Sequence, residues 1–278
     1  MILFANNSFW GMITEISIAN YKSILYQKFS LARVNVFVGR NSSGKTNILE
    51  AVGMAAAAHD NALDNDSLQS RGIRVVEPSL TFHSSNRQDR SKEIEIEWRE
   101  RQSTKKAKLI CDKPDDISAS WKDISWLEPA YVEKLNELIR YIGDGMNDEQ
   151  YPFSDETKNA VLNTAFRGSR AFREYLIYHA LTEQQIQELF ESESRLPAFF
   201  AINNIVTTLT SDLCGNVMKT ITQLAAKHNR QLLIATNRPA IVRGMNLADP
   251  EQKLFLVKQI EDGQTIVKDL TDMSLFDL

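Results

Sequence analysis

Cysteine and histidine are scarce in this chain, with two and four copies in 278 residues. Cys111 and Cys214 lie far apart with no metal-ligand spacing, which excludes a disulfide scaffold and fits inert packing residues in a reducing, cytoplasmic setting. His59, His83 and His228 have no acidic partners at metal spacing, so no metal site is expected beyond a nucleotide-bound Mg²⁺. His179, in REYLIYHAL, reads as a core histidine rather than a base. No apolar run approaches the roughly 18 residues of a membrane helix, so no membrane partner is expected. A large excess of charge is absent too: the formal net charge is -4, and nothing global advertises nucleic-acid binding, although a local basic surface stays open. The first eleven residues, MILFANNSFWG, lack the charged start of a secretory signal and read as a flexible or partner-binding extension. Internal repeats and low-complexity tracts are missing.

A hydrophobic content of 43% suffices for one large domain carrying an inserted subdomain. MITEISIANYKSI alternates as a half-buried strand, and LARVNVFVG reads as a more buried one. KTNILEAVGMAAAA follows with strong helix formers. VEPSLTFHS and KEIEIEWRE alternate cleanly, with KKAKLICDK as a third candidate. Together they predict an antiparallel β-subdomain over about 77–110. Residues from about 121 to 165 read as a short helical insert, with amphipathic helices in PAYVEKLNELIRYI and SDETKNAVLNTAF. RAFREYLIYHALTEQQIQELFES reads as one long helix or two. Beyond Pro197 strand AFFAI, helix SDLCGNVMKTITQLAAKH, strand QLLIAT, turn NRPA, and strands KLFLVKQI and TIVKDL around EDGQ alternate in an α/β manner.

The sharpest signal is GRNSSGKT, Gly39 to Thr46, set between an apolar strand and a helix. Gly39 and Gly44 let the backbone curl so that the N–H groups of Arg40, Asn41, Ser42, Ser43 and their neighbours face a polyphosphate. The helix N-terminus, reaching Asn47, adds its dipole. Lys45 brings a positive charge to the β and γ phosphates, and the Thr46 hydroxyl serves Mg²⁺. The pattern predicts a site for ATP and Mg²⁺.

FFAINNIV puts Asn203 and Asn204 at the end of a buried strand, a common place for functional residues in a nucleotide-binding sheet. Asparagine keeps an acceptor oxygen, but it is neutral and takes no proton.

MITEISIANYKSI, FVGRNSSGKTNILEAV and FFAINNIVTTLTSDLC…QLLIATNRPAIV together resemble the RecF/SMC branch of ABC ATPases. More closely they resemble the small AAA-type ATPases of bacterial defence and overcoming-lysogeny (OLD/PtuA-like) systems. The resemblance covers roughly residues 12–58 and 160–270. It implies a P-loop α/β fold of ABC-ATPase head type over 12–278: a mixed sheet, the antiparallel subdomain, the helical insert, and a signature helix with a second lobe over 166–278. Gly39, Asn41, Gly44, Lys45 and Thr46 match its phosphate motif. Asn203 stands where relatives hold Mg²⁺ with an aspartate, Asn204 where many carry a glutamate that polarises water, and Asn237 where they place a histidine. Thr210 replaces an aspartate of the loop between heads. FRGSR matches the signature region through Gly168 and Arg170, with Phe166 in a serine position and Ser169 able to substitute. Arg167, Arg170 and Arg173 form either a solvated face or, through Arg170, a reach to a partner's phosphate. Gln69 is the candidate γ-phosphate sensor before the first strand of the subdomain. Lys105, Lys106 and Lys108 read as a solvated strand edge or a nucleic-acid contact, and Trp121, Trp126 and Leu127 as an apolar lip.

The resemblance implies a homodimer or higher oligomer closed around ATP, a heteromer with a paralogous ATPase being the variant. A separate nuclease or toxin would be the effector, with DNA or RNA nearby, in antiphage defence. Hydrolysis is expected to be weak or absent. The rival expectations are an active repair or recombination ATPase and a relic with an empty site.

Overall fold

In a computed structural model the chain is described at residues 12–83, 93–100, 102–127, 133, 172, 174–191, 196–205 and 211–271. The apolar runs pair into two sheets. Strands β1 (Ile13–Tyr21), β2 (Ile24–Ser30), β4 (Ile94–Glu100), β5 (Ser103–Ile110) and β6 (Lys122–Asp123) form an antiparallel sheet in the order β2-β1-β4-β5-β6. The second sheet runs β11-β10-β3-β9-β8-β7, built from β3 (Val34–Val38), β7 (Leu176–His179), β8 (Phe199–Asn203), β9 (Gln231–Thr236), β10 (Gln252–Gln259) and β11 (Thr265–Asp269). Its strands are parallel except for the β10–β11 hairpin.

Helix α1 (Lys45–His59) explains how the sheets stack. Nearly every one of its residues is buried, and it packs on β1, β4 and β5 to one side and on β7, β8 and β9 to the other. A helix apolar on all faces needs a partner on every face, and the run from Ala55 to Ala58 keeps the spacing short. The opposite face of the second sheet is covered by α3 (Glu183–Glu191) and α4 (Ser211–Lys227). There Val34, Val36 and Val38 meet Phe190, Val217 and Ile221, while the alternating Phe37 points to the α1 side. Helix α2 (Asn65–Ser70) is short and capped by Asp64, whose carboxylate accepts from the Ser67 N–H.

Three expectations fail for identifiable reasons. VEPSLTFHS forms a 3-10 turn at Pro78–Leu80 with a single bridge between Tyr21 and Phe82, because proline cannot donate to a ladder and starts a turn well. LIYH, expected inside a helix, is strand β7, parallel to β8. A four-residue apolar run is ambiguous by periodicity, and the open edge of β8 decides it; Ala180, at φ 52°, then breaks the chain before α3. Residues 121–127 extend the antiparallel sheet rather than open a helical insert: Lys122–Asp123 pair with β5, Ser125–Leu127 make a 3-10 turn, and buried Trp121 packs on Phe82 with ring centres 5.4 Å apart. The two insert helices fall outside the described residues apart from Glu133.

Candidate nucleotide-binding site

The loop Gly39–Gly44 leaves the C-terminal end of β3 and enters α1. Ser42 (φ 62°) and Gly44 (φ 96°) adopt left-handed backbone, which makes the loop concave. A Cβ on Gly39 would meet the Val257 carbonyl at 2.2 Å, and one on Gly44 would meet Thr265 Oγ1 at 1.9 Å, so both glycines are required by contact. No side chain caps the first turn of α1, and its donors stay available for an anion. The Lys45 ammonium is folded over the loop, donating to the carbonyls of Gly39 (2.9 Å) and Arg40 (2.6 Å) and to Ser43 Oγ (3.3 Å). Burial lowers its pKa from the ordinary lysine value. A cavity of about 590 Å³ opens beside the loop, walled by Asn41, Ser43, Asn237, Pro239, Leu256 and Lys258.

The ends of β8 and β9 bring Asn203 and Asn237 to this loop by different routes. Asn203, 3% exposed, sets its amide against Thr46 Oγ1, with Oδ1 at 3.3 Å and Nδ2 at 3.2 Å. The same Nδ2 lies 3.3 Å from His179 Nδ1, and His179 Nε2 is 2.9 Å from the Gly72 carbonyl. That carbonyl only accepts, so Nε2 carries the proton and Nδ1 accepts from Asn203. Asn237 Nδ2 donates to Asn41 Oδ1 at 2.8 Å, tying β9 to the loop. Asn204 is exposed and holds φ 58°, a conformation asparagine tolerates, while its backbone N–H donates to the Ala235 carbonyl. Among the described residues no carboxylate bonds to Thr46, Asn203 or Asn237, and no cluster of His, Cys, Asp and Glu could hold a metal. The donors therefore fit a polyphosphate well. For Mg²⁺ they offer only neutral oxygens, from Thr46 and Asn203.

Other expectations land elsewhere. Phe166, Gly168, Ser169, Arg170 and Thr210 lie outside the described residues. Gln69 is exposed on α2 with no hydrogen bond to the loop. His179 is an exposed strand-end group beside Asn203 rather than a core residue, because β7 runs parallel to β8. Lys106 and Lys108 pair with Glu95 (3.4 Å) and Glu93 (2.8 Å) across the sheet, at partly exposed positions. The chain reading also missed Glu50, fully buried on α1, which binds Lys22 Nζ at 2.6 Å and Arg74 Nε at 2.8 Å. Its only signal was a lone acid inside an otherwise apolar helix. Burial pushes the Glu50 carboxyl up, yet the Lys22 and Arg74 charges outweigh it and hold the group below the ordinary range.

A family description, AAA ATPase domain, matches residues 12–242. The chain belongs to the AAA ATPase domain family. Membership implies nucleotide binding, in keeping with the loop geometry. The SMC head bound to the C-winged helix domain of ScpA superposes on this ATPase domain with a TM-score of 0.51 and 11% identity, over 96% of this chain and 99% of that one. The fold is therefore that of a P-loop ABC-type ATPase head, α/β with mixed sheets. DNA replication and repair protein RecF of Bacillus thuringiensis is 32% identical over 100 residues, and that of Bacillus mycoides 33% over 98. Each match covers 35% of this chain and 25% of the relative, so the matched stretch spans only a quarter of the relatives' length.

Proposed function

We propose that this domain binds ATP with Mg²⁺ and turns it over slowly or not at all, so that the nucleotide acts as an assembly switch. The observation that carries the reading is the pairing of a complete phosphate loop with neutral amides: Asn203 bonds to Thr46 and Asn237 to Asn41, with Asn204 next to Asn203 at the end of β8. Lys45 would exchange its loop carbonyls for phosphate oxygens. The N–H groups of Arg40, Asn41, Ser42, Ser43, Gly44, Thr46 and Asn47 form the cradle around them, and Thr46 and Asn203 turn their oxygens to the cation. Mg²⁺, when bound, supplies charge neutralisation to the phosphates. Asn204 cannot take a proton from water, and Asn203 and Asn237 add no charge where phosphoryl transfer depends on it. Loss of a single such contact typically costs about 10²–10³ in rate.

In this proposal two heads close on ATP. Gly168, Ser169 and Arg170 of one copy, or of a paralogous ATPase, contact the nucleotide of the other, and the assembly restrains a separate effector such as a nuclease or toxin. The antiphage setting rests on sequence resemblance alone, since the curated relatives are replication and repair proteins. Those RecF matches favour a second reading, an active ATPase of repair or recombination with DNA as partner.

Incubation of the purified chain with ATP and Mg²⁺, followed by isolation and identification of the retained nucleotide, separates the two. Intact ATP held for hours supports the switch. ADP with steady phosphate release sinks it in favour of the active enzyme.

A further inference from the structure

Thr265, the first residue of β11, is fully buried against the phosphate loop. It lies beyond residue 242, where the family match ends. A run of polar groups passes through it. Asn47 Nδ2 is 2.7 Å from Ser23 Oγ, Ser23 Oγ is 2.6 Å from Thr265 Oγ1, and Thr265 Oγ1 is 3.2 Å from the Ser43 carbonyl. The polarity of this run has one solution. A carbonyl only accepts, so Thr265 donates to Ser43. Its single proton is then committed, so Ser23 donates to Thr265 and accepts from the Asn47 amide. The Thr265 N–H, donated to the Ser23 carbonyl at 2.7 Å, pins β11 to the β1–β2 turn.

We propose that Thr265 is a positioning residue for phosphate binding: by holding the Ser43 carbonyl, it turns the Gly44 N–H toward the bound phosphates. In a planar trans peptide the C=O and N–H point in opposite directions, so fixing one fixes the other. Among the described residues the Gly44 N–H makes no hydrogen bond, which leaves it available to an anion. The close approach of Gly44 to Thr265 has the same origin, since a Cβ there would displace the hydroxyl. The inference rests on the nucleotide-binding reading.

The test compares wild type, T265V and T265S as full chains, reading ATP affinity by calorimetry and the Gly44 amide signal by NMR. Valine keeps the shape and removes the donor, while serine keeps the donor. The expected result is about tenfold weaker ATP binding in T265V, a Gly44 amide that no longer responds to ATP, and near wild-type behaviour in T265S. If T265V does not fold, S23A breaks the same run at the turn and is expected to weaken ATP binding several-fold with a smaller Gly44 response. Wild-type affinity and an unchanged Gly44 response in the folded variants overturn the proposal while leaving nucleotide binding intact. Failure of wild type to bind ATP overturns the nucleotide-binding reading, and the positioning role falls with it.

Discussion

Asparagine at position 203 is an acceptor without charge, and its amide is oriented by His179 on one side and Thr46 on the other. Under the proposed switch, replacing the amides by carboxylates supplies the charge on which phosphoryl transfer depends. The double variant N203D/N204E is expected to raise steady-state phosphate release by about tenfold or more over wild type, measured at saturating ATP and Mg²⁺. No increase would show that the asparagines are not what limits turnover. Glu50 is a residue whose charge matters to stability. Its carboxyl is held below its unfolded value by two cations, so its contribution to stability is present above the ordinary carboxylate range and is lost as pH falls through the depressed folded value. E50Q leaves Lys22 and Arg74 without their counter-charge and is expected to cost about 3 kcal/mol at neutral pH. Denaturant melts from pH 7 to pH 3 should show a shallower acid decline in E50Q than in wild type.

At the scale of elements, close backbone approach sets several packings. Helix α4 meets the 3-10 segment Pro239–Gly244 so tightly that a Cβ on Gly244 would lie 2.0 Å from the Gly215 carbonyl. G244A is therefore expected to lower stability by roughly 1–3 kcal/mol, read from urea midpoints, since backbone on both sides must move. The same contact helps place the segment that follows β9, and with it Asn237. Strand β7 makes the companion point: LIYH is short enough to be helix or strand, and its partner β8 chooses. Because β7 is a strand, His179 arrives beside Asn203 at the end of the sheet.

For the whole molecule, α1 joins the two sheets and starts at the phosphate loop, so the loop is anchored in the layer between them. ATP with Mg²⁺ at about 100 times its dissociation constant is expected to stabilise the fold by about 2.7 kcal/mol, read as a rise of several degrees in thermal midpoint that K45A abolishes. An unchanged midpoint in wild type would favour the relic with an empty site. No helix among the described residues is long and apolar enough to cross a membrane. Cys111 and Cys214 form no disulfide, and Cys214 lies on the buried face of α4 as packing.

By itself, the sequence determined the phosphate loop, the buried β3 and β8, helix α1 and the α/β second half. These rest on local signals: a glycine-spaced pattern, continuous apolar runs and strong helix formers. Only the tertiary structure decided the rest, because those features depend on which segments become neighbours. Thr265 bonds to Ser43 across 222 positions of chain, and Thr46 meets Asn203 across 157. The Glu50 ion-pair centre, the strand identity of β7 and the place of His179 have the same origin. Pairwise geometry between distant residues leaves no periodicity in the chain, so the amides at the strand ends could be read as a pattern while the groups that orient them could not.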